Sequence, residues 1–137
     1  MATELSDVLV EGTYGAAPAL VFSEPISFWG GIDPASGRVI NPRHPESGSC
    51  IAGAVLFLPG TIGSSSASAV LMELVHAGKA PAAIVLHEPD AILLIGLICA
   101  REMGWQTPPA FKLDRDKHGQ FAGRDVRFGG NGELAFL

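Results

Sequence analysis

The sequence predicts a mixed α/β domain built around a central β-α-β unit, and three observations support this fold class. Two continuous apolar runs, 54–58 and 82–86, have the length of strands that are buried on both faces. The stretch between them places apolar residues at helical spacing. Shorter strand-like runs occur near both chain ends, so we expect β elements to flank the central unit.

The flanking β elements are predicted at four places. Near the start, strands are expected at 8–10 and 19–22, separated by glycine and proline. Near the end, the runs 125–128 and 133–136 are separated by a glycine-rich turn, which predicts a hairpin.

Two helices are predicted in the central part. The first follows the apolar run 54–58 and ends at Gly78, and the second extends from about 91 to 103. Asp90 is placed to cap the second helix, which Gly104 stops. The order strand, helix, strand, helix implies parallel strands with a right-handed crossover.

Length and composition favour one compact domain, residues 1–137. A chain of 137 residues with 47% hydrophobic content can bury most of its apolar surface in one core. The formal net charge of −5 comes from only 17% charged residues, without a run of lysine and arginine. This balance disfavours nucleic acid or an anionic membrane as a partner, and points to small molecules and proteins.

No export or membrane signal is recognised. Residues 1–7 have neither the basic start nor the apolar core of a signal peptide. The apolar run 91–100 is interrupted by Gly96 and falls short of the roughly 20 residues that cross a bilayer, so it predicts a buried helix. Cys50 and Cys99 lie in apolar surroundings without metal-ligand spacing, which predicts two reduced core thiols and a cytoplasmic location.

The most specific local feature is the segment 58–66, Leu-Pro-Gly-Thr-Ile-Gly-Ser-Ser-Ser, where a buried strand turns into a helix. Free backbone N–H groups and the helix dipole favour an anion there by roughly 0.3–1 kcal/mol, or stabilise a serine alkoxide. The segment has neither Gly-Lys-Ser/Thr nor Gly-x-Ser-x-Gly, which argues against nucleotide hydrolysis and triad chemistry. On residue chemistry alone, the simpler interpretation is that Ser64 caps the helix and that the following serines are small surface or packing residues.

The turn-rich segment 28–53 carries the other candidates. A loop of this length is uncommon in a small domain, so we expect it to carry function or to fold across a neighbouring surface. Arg43 could bind a carboxylate through its forked guanidinium, although a solvated loop arginine is the simpler interpretation. Phe28 and Trp29 precede a glycine pair and could anchor the loop in the core, line a substrate, or both. The four histidines lack ligand spacing, so no metal site is predicted in this chain.

Several short motifs occur in an order that is similar to one known family. They are Glu-Pro-Ile-Ser-Phe-Trp-Gly-Gly-Ile-Asp at 24–33, Arg-His-Pro at 43–45, Ile-Ala-Gly at 51–53, Phe-Leu-Pro-Gly at 57–60, Gly-Ser-Ser at 63–65 and Gly-Lys-Ala-Pro-Ala-Ala-Ile-Val at 78–85. Together they resemble the small subunit of aconitase X, over about residues 10–96.

The resemblance implies a swivelling β/β/α domain that works against a large subunit holding an iron–sulfur cluster. It makes Ser64 the proton-abstracting base, while the cluster iron acts on the substrate hydroxyl. The substrate-binding candidates are Gly63, Ser65, Arg43, Phe28, Trp29 and Gly30. Two scattered cysteines cannot supply the thiolates of a cluster, so this chain is expected to bind no cofactor. The arginine that follows the serine pair in aconitase is replaced by Ser66 and Ala67, so Arg43 or the large subunit is expected to bind the substrate carboxylate.

The implied activity is that of a hydro-lyase acting on a small hydroxy acid. Cis-3-hydroxy-L-proline is the first candidate substrate, because the sequence lacks the charge enrichment of hyperthermophilic proteins. The alternatives are the small subunit of a phosphomevalonate dehydratase, a non-catalytic module that binds an anion for regulation, and a purely structural subunit that closes over a partner's active site.

Overall fold

The computed structural model describes residues 2–63 and 65–136. The described residues form strands, α-helical elements and one 3-10 helix in the order β1 (Ala2–Leu5), β2 (Asp7–Val10), β3 (Gly15–Val21), α1 (Phe28–Gly31), β4 (Val55–Leu58), α2 (Ala67–His76), β5 (Ala83–Leu86), α3 (Ala91–Glu102), β6 (Ala110–Lys112), the 3-10 helix (Arg115–Phe121), β7 (Asp125–Phe128) and β8 (Glu133–Phe136).

The predicted central β-α-β unit is confirmed. β4 and β5 are parallel, with Phe57 opposite Val85, and α2 connects them. Every residue of these two strands is buried, as their continuous apolar runs predicted. β3 and β6 extend the parallel arrangement on either side. Four parallel strands therefore end at the same edge of the sheet, which we call the carboxyl edge.

The sheet closes through the first ten residues. In the strand order β1-β8-β7-β3-β4-β5-β6-β2, the two outer positions belong to strands that are separated in the chain only by Ser6. The Ser6 backbone N–H and hydroxyl both donate to the carbonyl oxygen of Gly132, at 2.8 and 2.6 Å. One continuous segment thus covers both β8 and β6, and it limits the open edges that would otherwise pair with another chain.

Alternate residues of β4 face two different apolar clusters. Val55 and Phe57 join a cluster enclosed by the closed sheet, which also contains Phe121 of the 3-10 helix. Leu56 and Leu58 join a second cluster, between the sheet and the helices α2 and α3. Successive side chains of a strand point to opposite faces, so one apolar run contributes to both clusters.

α2 and α3 pack closely on the outer face of the sheet. A Cβ atom at Gly96 would lie 3.0 Å from the backbone oxygen of Ser68, so glycine permits this approach. The predicted stop residues Gly78 and Gly104 follow the two helices with φ values of 72° and 81°. Within the described ranges, no helix has the length and apolar character needed to span a membrane.

The terminal β elements agree only partly with the sequence. The predicted C-terminal hairpin is confirmed, because β7 and β8 pair antiparallel. The predicted strands 8–10 and 19–22 correspond to β2 and β3. β1 and the three-residue β6 were not predicted.

The prediction that both cysteines are core thiols is wrong. Cys50 and Cys99 are free and exposed. Cys50 lies on the turn-rich segment, where it forms an isolated bridge with Arg38. Cys99 lies on the outer side of α3, next to Ile98, which is 48% exposed. The apolar run that predicted a buried helix therefore forms a helix with one open face.

Candidate active site

The segment 59–66 connects β4 to α2 at the carboxyl edge. Ligands of α/β sheets bind preferentially beyond the carboxyl ends of strands, so the predicted anion-binding segment occupies a favourable place. Ser64, the predicted base, lies outside the described residues. Its neighbours Gly63 and Ser65 are described and exposed.

Backbone hydrogen bonds attach the first half of this segment to the chain that follows β3. Ile26 forms a parallel bridge with Thr61. The Ile26 N–H donates to the Gly60 oxygen at 3.4 Å, and the Ile62 N–H donates to the Ile26 oxygen at 3.1 Å. The segment is therefore fixed on one side by a short stretch of sheet-like pairing.

Asp90 fixes the other side of the segment. One carboxylate oxygen accepts from the Ile92 and Leu93 N–H groups at 3.1 and 3.2 Å, which confirms the predicted cap of α3. The other oxygen accepts from the Thr61 hydroxyl. One side chain thus joins the candidate catalytic segment to the start of α3, a link that the sequence did not reveal.

The amino end of α2 lies at the end of the same segment. α2 begins at Ala67, and Ser66 occupies its cap position without a side-chain cap hydrogen bond. The interpretation of Ser64 as the helix cap falls on a residue outside the described ranges, so it stays a prediction. The partial positive charge of a helix amino end, roughly half an elementary charge, favours negative charge in this segment.

Phe28, Trp29 and Gly30 have different environments. α1 is a single distorted turn, in which Trp29 has ψ of 116° and Gly30 has φ of 78°. Phe28 is fully buried in the cluster with α2 and α3, so it anchors the turn and offers no surface to a substrate. Trp29 is 64% exposed, and Gly30 is exposed beside it.

His44 orients the segment that carries Arg43. The His44 ring is buried, with Nε2 3.1 Å from the Glu24 oxygen and Nδ1 accepting from the Glu46 N–H at 3.0 Å. Because a carbonyl oxygen only accepts, Nε2 carries the proton. The ring also lies against Phe22, with 4.9 Å between centroids. Arg43 itself is exposed.

Residues 22–31 connect the predicted site residues. Within this stretch, Glu24 contacts His44, Ile26 contacts the segment 59–66, and α1 presents Trp29 and Gly30. The stretch 22–31 is therefore attached both to the segment that carries Arg43 and to the segment 59–66, at one part of the carboxyl edge. Phe28 lies on this stretch too, but its side chain is buried.

A cavity of about 220 Å³ also opens at the carboxyl edge, and sequence reasoning missed it. Its lining includes Ser23, Pro59, Arg115 and His118. Burial lowers the pKa of His118 below its ordinary value of 6.5. Arg115 and His118 carry no motif, and only the short strand β6 brings them to this edge.

Two larger cavities, of about 310 and 400 Å³, lie elsewhere. Both include Tyr14 and Thr107, which precede β3 and β6 and so lie where parallel strands begin. Cavity size alone therefore does not identify the carboxyl edge as the site.

The residues that the structure describes do not fit an iron–sulfur cluster. Over residues 2–63 and 65–136, no group of three or more His, Cys, Asp or Glu side chains is arranged to hold a metal ion. Cys50 and Cys99 belong to separate parts of the fold, whereas a cluster requires several converging ligands.

Comparison with known proteins determines the family. Residues 6–130 match the family model of the aconitase X swivel domain. The chain belongs to the aconitase X swivel-domain family. The matched range includes the segment 59–66 and Arg43, so the predicted resemblance is confirmed.

Relatives of this swivel domain are dehydratases by name. Cis-3-hydroxy-L-proline dehydratase from Pseudomonas aeruginosa is 50% identical over 84 residues, which are 61% of this chain and 14% of that protein. The phosphomevalonate dehydratase small subunit from Methanopyrus kandleri is 46% identical over 82 residues, which are 60% of this chain and 61% of that subunit. The match spans less than two thirds of either relative.

A solved structure confirms the fold class of the swivel domain. The holo form of aconitase X from Thermococcus kodakaraensis is similar with a TM-score of 0.87 and 29% sequence identity. The similarity covers 100% of this chain and 99% of that chain.

Proposed function

We propose that this chain is the small subunit of an aconitase X-type dehydratase, a hydro-lyase that is active only when docked on a large subunit. The observation that carries the proposal is the family match over residues 6–130, which contains the segment 59–66. The dehydratase names of two relatives support the reaction class.

Ser64 is the proposed base. Its oxygen takes the proton from the carbon next to the hydroxyl-bearing carbon, and the electrons of that C–H bond form the C=C bond. The hydroxyl leaves and, with a proton from a donor on the large subunit, becomes water. The position of the segment between β4 and the amino end of α2 supports this role, since a helix amino end favours an anionic oxygen.

The remaining sequence-predicted residues, with the exception of the buried Phe28, are proposed to bind the substrate. Gly63 and Ser65 flank the base, and Trp29 with Gly30 forms an exposed wall. Arg43 is proposed to contact the bound substrate with its guanidinium, which the exposed position supports.

We propose that the iron–sulfur cluster implied by the family resides on the large subunit. The described residues of this chain do not fit a cluster, so no step is assigned to one here. A separate partner is supported by the name of the Methanopyrus relative. In the Pseudomonas relative, the matched region is 14% of the length, which supports an enzyme much larger than this chain.

Cis-3-hydroxy-L-proline is the proposed substrate, supported by the 50% identity to the Pseudomonas dehydratase. Phosphomevalonate is the second candidate, supported by the 46% identity to the Methanopyrus subunit. Assay of the two-subunit complex against both compounds side by side decides between them. A non-catalytic anion-binding module would show no turnover with either compound and would need no partner.

Ser64→Ala tests the mechanism in the reconstituted complex. We expect intact assembly and turnover lowered at least about 10²-fold, the scale of losing a general base. Ser47→Ala, an exposed serine of the turn-rich segment, is the matched control and should leave turnover unchanged. Near-normal turnover of Ser64→Ala removes that residue from the role of base. Robust turnover by the isolated chain excludes the two-subunit arrangement.

A further inference from the structure

The 220 Å³ cavity at the carboxyl edge has no role in the mechanism described so far. Three of its lining residues directly follow parallel strands or lie close after them: Ser23 follows β3, Pro59 follows β4 and Arg115 follows β6. Pro59 is also the first residue of the segment 59–66, so the cavity adjoins the proposed catalytic segment. Its volume is below the roughly 300 Å³ of a pocket that encloses a whole small molecule, so it suits one part of a ligand.

Arg115 supplies the positive charge of this cavity. Its backbone N–H donates to His87 Nδ1 at 3.0 Å, which fixes the start of the 3-10 helix. Both ion pairs found within the described ranges involve other residues. No carboxylate of the described residues therefore lies within 4 Å of the Arg115 guanidinium. The neighbouring Asp114 carboxylate is engaged as the cap of the 3-10 helix, accepting from the Asp116 N–H at 2.9 Å. An unpaired guanidinium in this place is suited to an anion with two oxygens.

His118 supplies a hydrogen-bond acceptor. Its Nε2 lies 2.8 Å from the Leu113 oxygen and must donate, which leaves Nδ1 as the acceptor. No hydrogen bond reaches Nδ1 from the described residues, and none of their fully buried side-chain nitrogens lacks a partner, so Nδ1 keeps some accessible surface on a residue that lines the cavity. The Phe57 ring packs edge-on against the imidazole, with 5.5 Å between centroids.

We infer that this cavity is the subsite for the substrate carboxylate, with Arg115 as the forked donor and His118 Nδ1 as acceptor from an N–H or O–H group of the same ligand. The inference rests on the proposed function, because its ligand is the hydroxy acid that the enzyme dehydrates. A carboxylate is common to both candidate substrates, and a guanidinium disfavours a cationic ligand. Arg115 also fills the need left by Ser66 and Ala67, which stand where an arginine was expected.

The test compares a carboxylate with its uncharged amide in the two-subunit complex. The wild type should prefer cis-3-hydroxy-L-proline to its carboxamide in kcat/KM. Arg115→Ala should reduce that preference about 10- to 100-fold, mostly through KM, which is the scale of a charge-assisted bidentate contact. Arg115→Lys should retain part of the preference. Phosphomevalonate and its carboxamide replace this pair if phosphomevalonate proves to be the substrate.

Arg127→Ala is the matched control, because Arg127 is an exposed arginine on β7, outside the cavity lining. It should leave the preference unchanged. An Arg115→Ala complex that keeps the wild-type preference overturns the inference, and if Arg43→Ala loses the preference instead, the carboxylate belongs to Arg43.

Failure of the inference differs from failure of the proposed function. If Ser64→Ala abolishes turnover while Arg115→Ala changes nothing, only the subsite is wrong. If the complex turns over neither substrate, the proposed function fails, and NMR titration of the full chain with cis-3-hydroxy-L-proline then decides the subsite. Saturable shifts at the Arg115 and His118 side chains that the carboxamide does not cause support it, and equal or absent shifts refute it.

Discussion

Replacing Asp90 by alanine should remove two functions of one carboxylate. The cap of α3, made by two N–H groups, contributes about 1 kcal/mol to folding. The hydrogen bond from Thr61 to a charged acceptor contributes roughly 1.5–3 kcal/mol, toward the lower end because the Thr61 side chain is only part-buried and water replaces some of it. The free energy of unfolding should therefore fall by about 2–3 kcal/mol. For a chain of this length, we expect the melting temperature to fall by roughly 6–15 °C.

Two further variants separate the cap from the link to Thr61. Thr61→Val removes the hydroxyl, and should lower the free energy of unfolding by about 1–2 kcal/mol. Asp90→Asn keeps an oxygen for the cap and should cost less than Asp90→Ala. In a double-mutant cycle, Thr61→Val should cost little once Asp90 is alanine, which gives a coupling energy of about 1 kcal/mol.

Urea unfolding of the full chain, followed by circular dichroism, measures these changes. Glu88→Ala is the matched control, because Glu88 is an exposed carboxylate just before α3 and its change should stay within about 0.5 kcal/mol. A loss below about 0.5 kcal/mol for Asp90→Ala, or fully additive effects of the two substitutions, would refute the reasoning.

Three other predictions concern the buried His118 ring, the close contact between Gly132 and Ser6, and the exposed Arg43. Burial lowers the pKa of His118, so the unfolded chain binds a proton that the folded chain does not as pH falls through 6.5. Urea unfolding should therefore show the free energy of unfolding falling between about pH 7.5 and about pH 5. His118→Gln should remove the part of this pH dependence that comes from His118. Gly132→Ala combines φ of 85° with a Cβ atom 2.2 Å from the Ser6 oxygen and should cost more than about 2 kcal/mol, whereas Gly123→Ala, with φ of 72° and open space, should cost only about 1 kcal/mol; equal losses in thermal unfolding contradict the clash. Arg43→Ala should raise the apparent KM and leave the melting temperature unchanged, and an unaltered KM returns Arg43 to the solvent.

The central unit was predictable because its signals are local. The apolar runs 54–58 and 82–86 are long enough to exclude an alternating pattern, and they became the buried strands β4 and β5. Asp90 and the glycines after both helices carry capping chemistry that depends only on neighbouring residues. Each of these predictions therefore survived without knowledge of the tertiary structure.

Sheet closure was not predictable in this way. It depends on Ser6 meeting Gly132, two residues that lie 126 positions apart in the chain. It also depends on β6, whose three residues follow two prolines and form too short a run to stand out. Local patterns do not contain such pairings, because a strand of this length is defined by its neighbours in the sheet.

The two parts of the candidate site also differ in whether a local pattern marks them. The segment 59–66 has a recognisable pattern of glycine and serine after a strand, so the sequence located it. Arg115 and His118 have no motif, and their place at the carboxyl edge follows from β6. The cysteines were misjudged because apolar neighbours in sequence do not show which face of a helix or turn is open.

The exposure of the carboxyl edge supports the proposed need for a partner. Gly63 and Ser65, the sequence neighbours of the proposed base, are exposed, and Trp29 and Ile62 are more than half exposed. A serine oxygen in water is a weak base, and the field of a helix end is strongly screened there. A large subunit that covers this edge would bury the two apolar side chains, which stabilises docking, and would exclude water, which strengthens the electrostatic stabilisation of an alkoxide. Docking and catalytic competence are then one event, which is why we expect the isolated chain to be inactive.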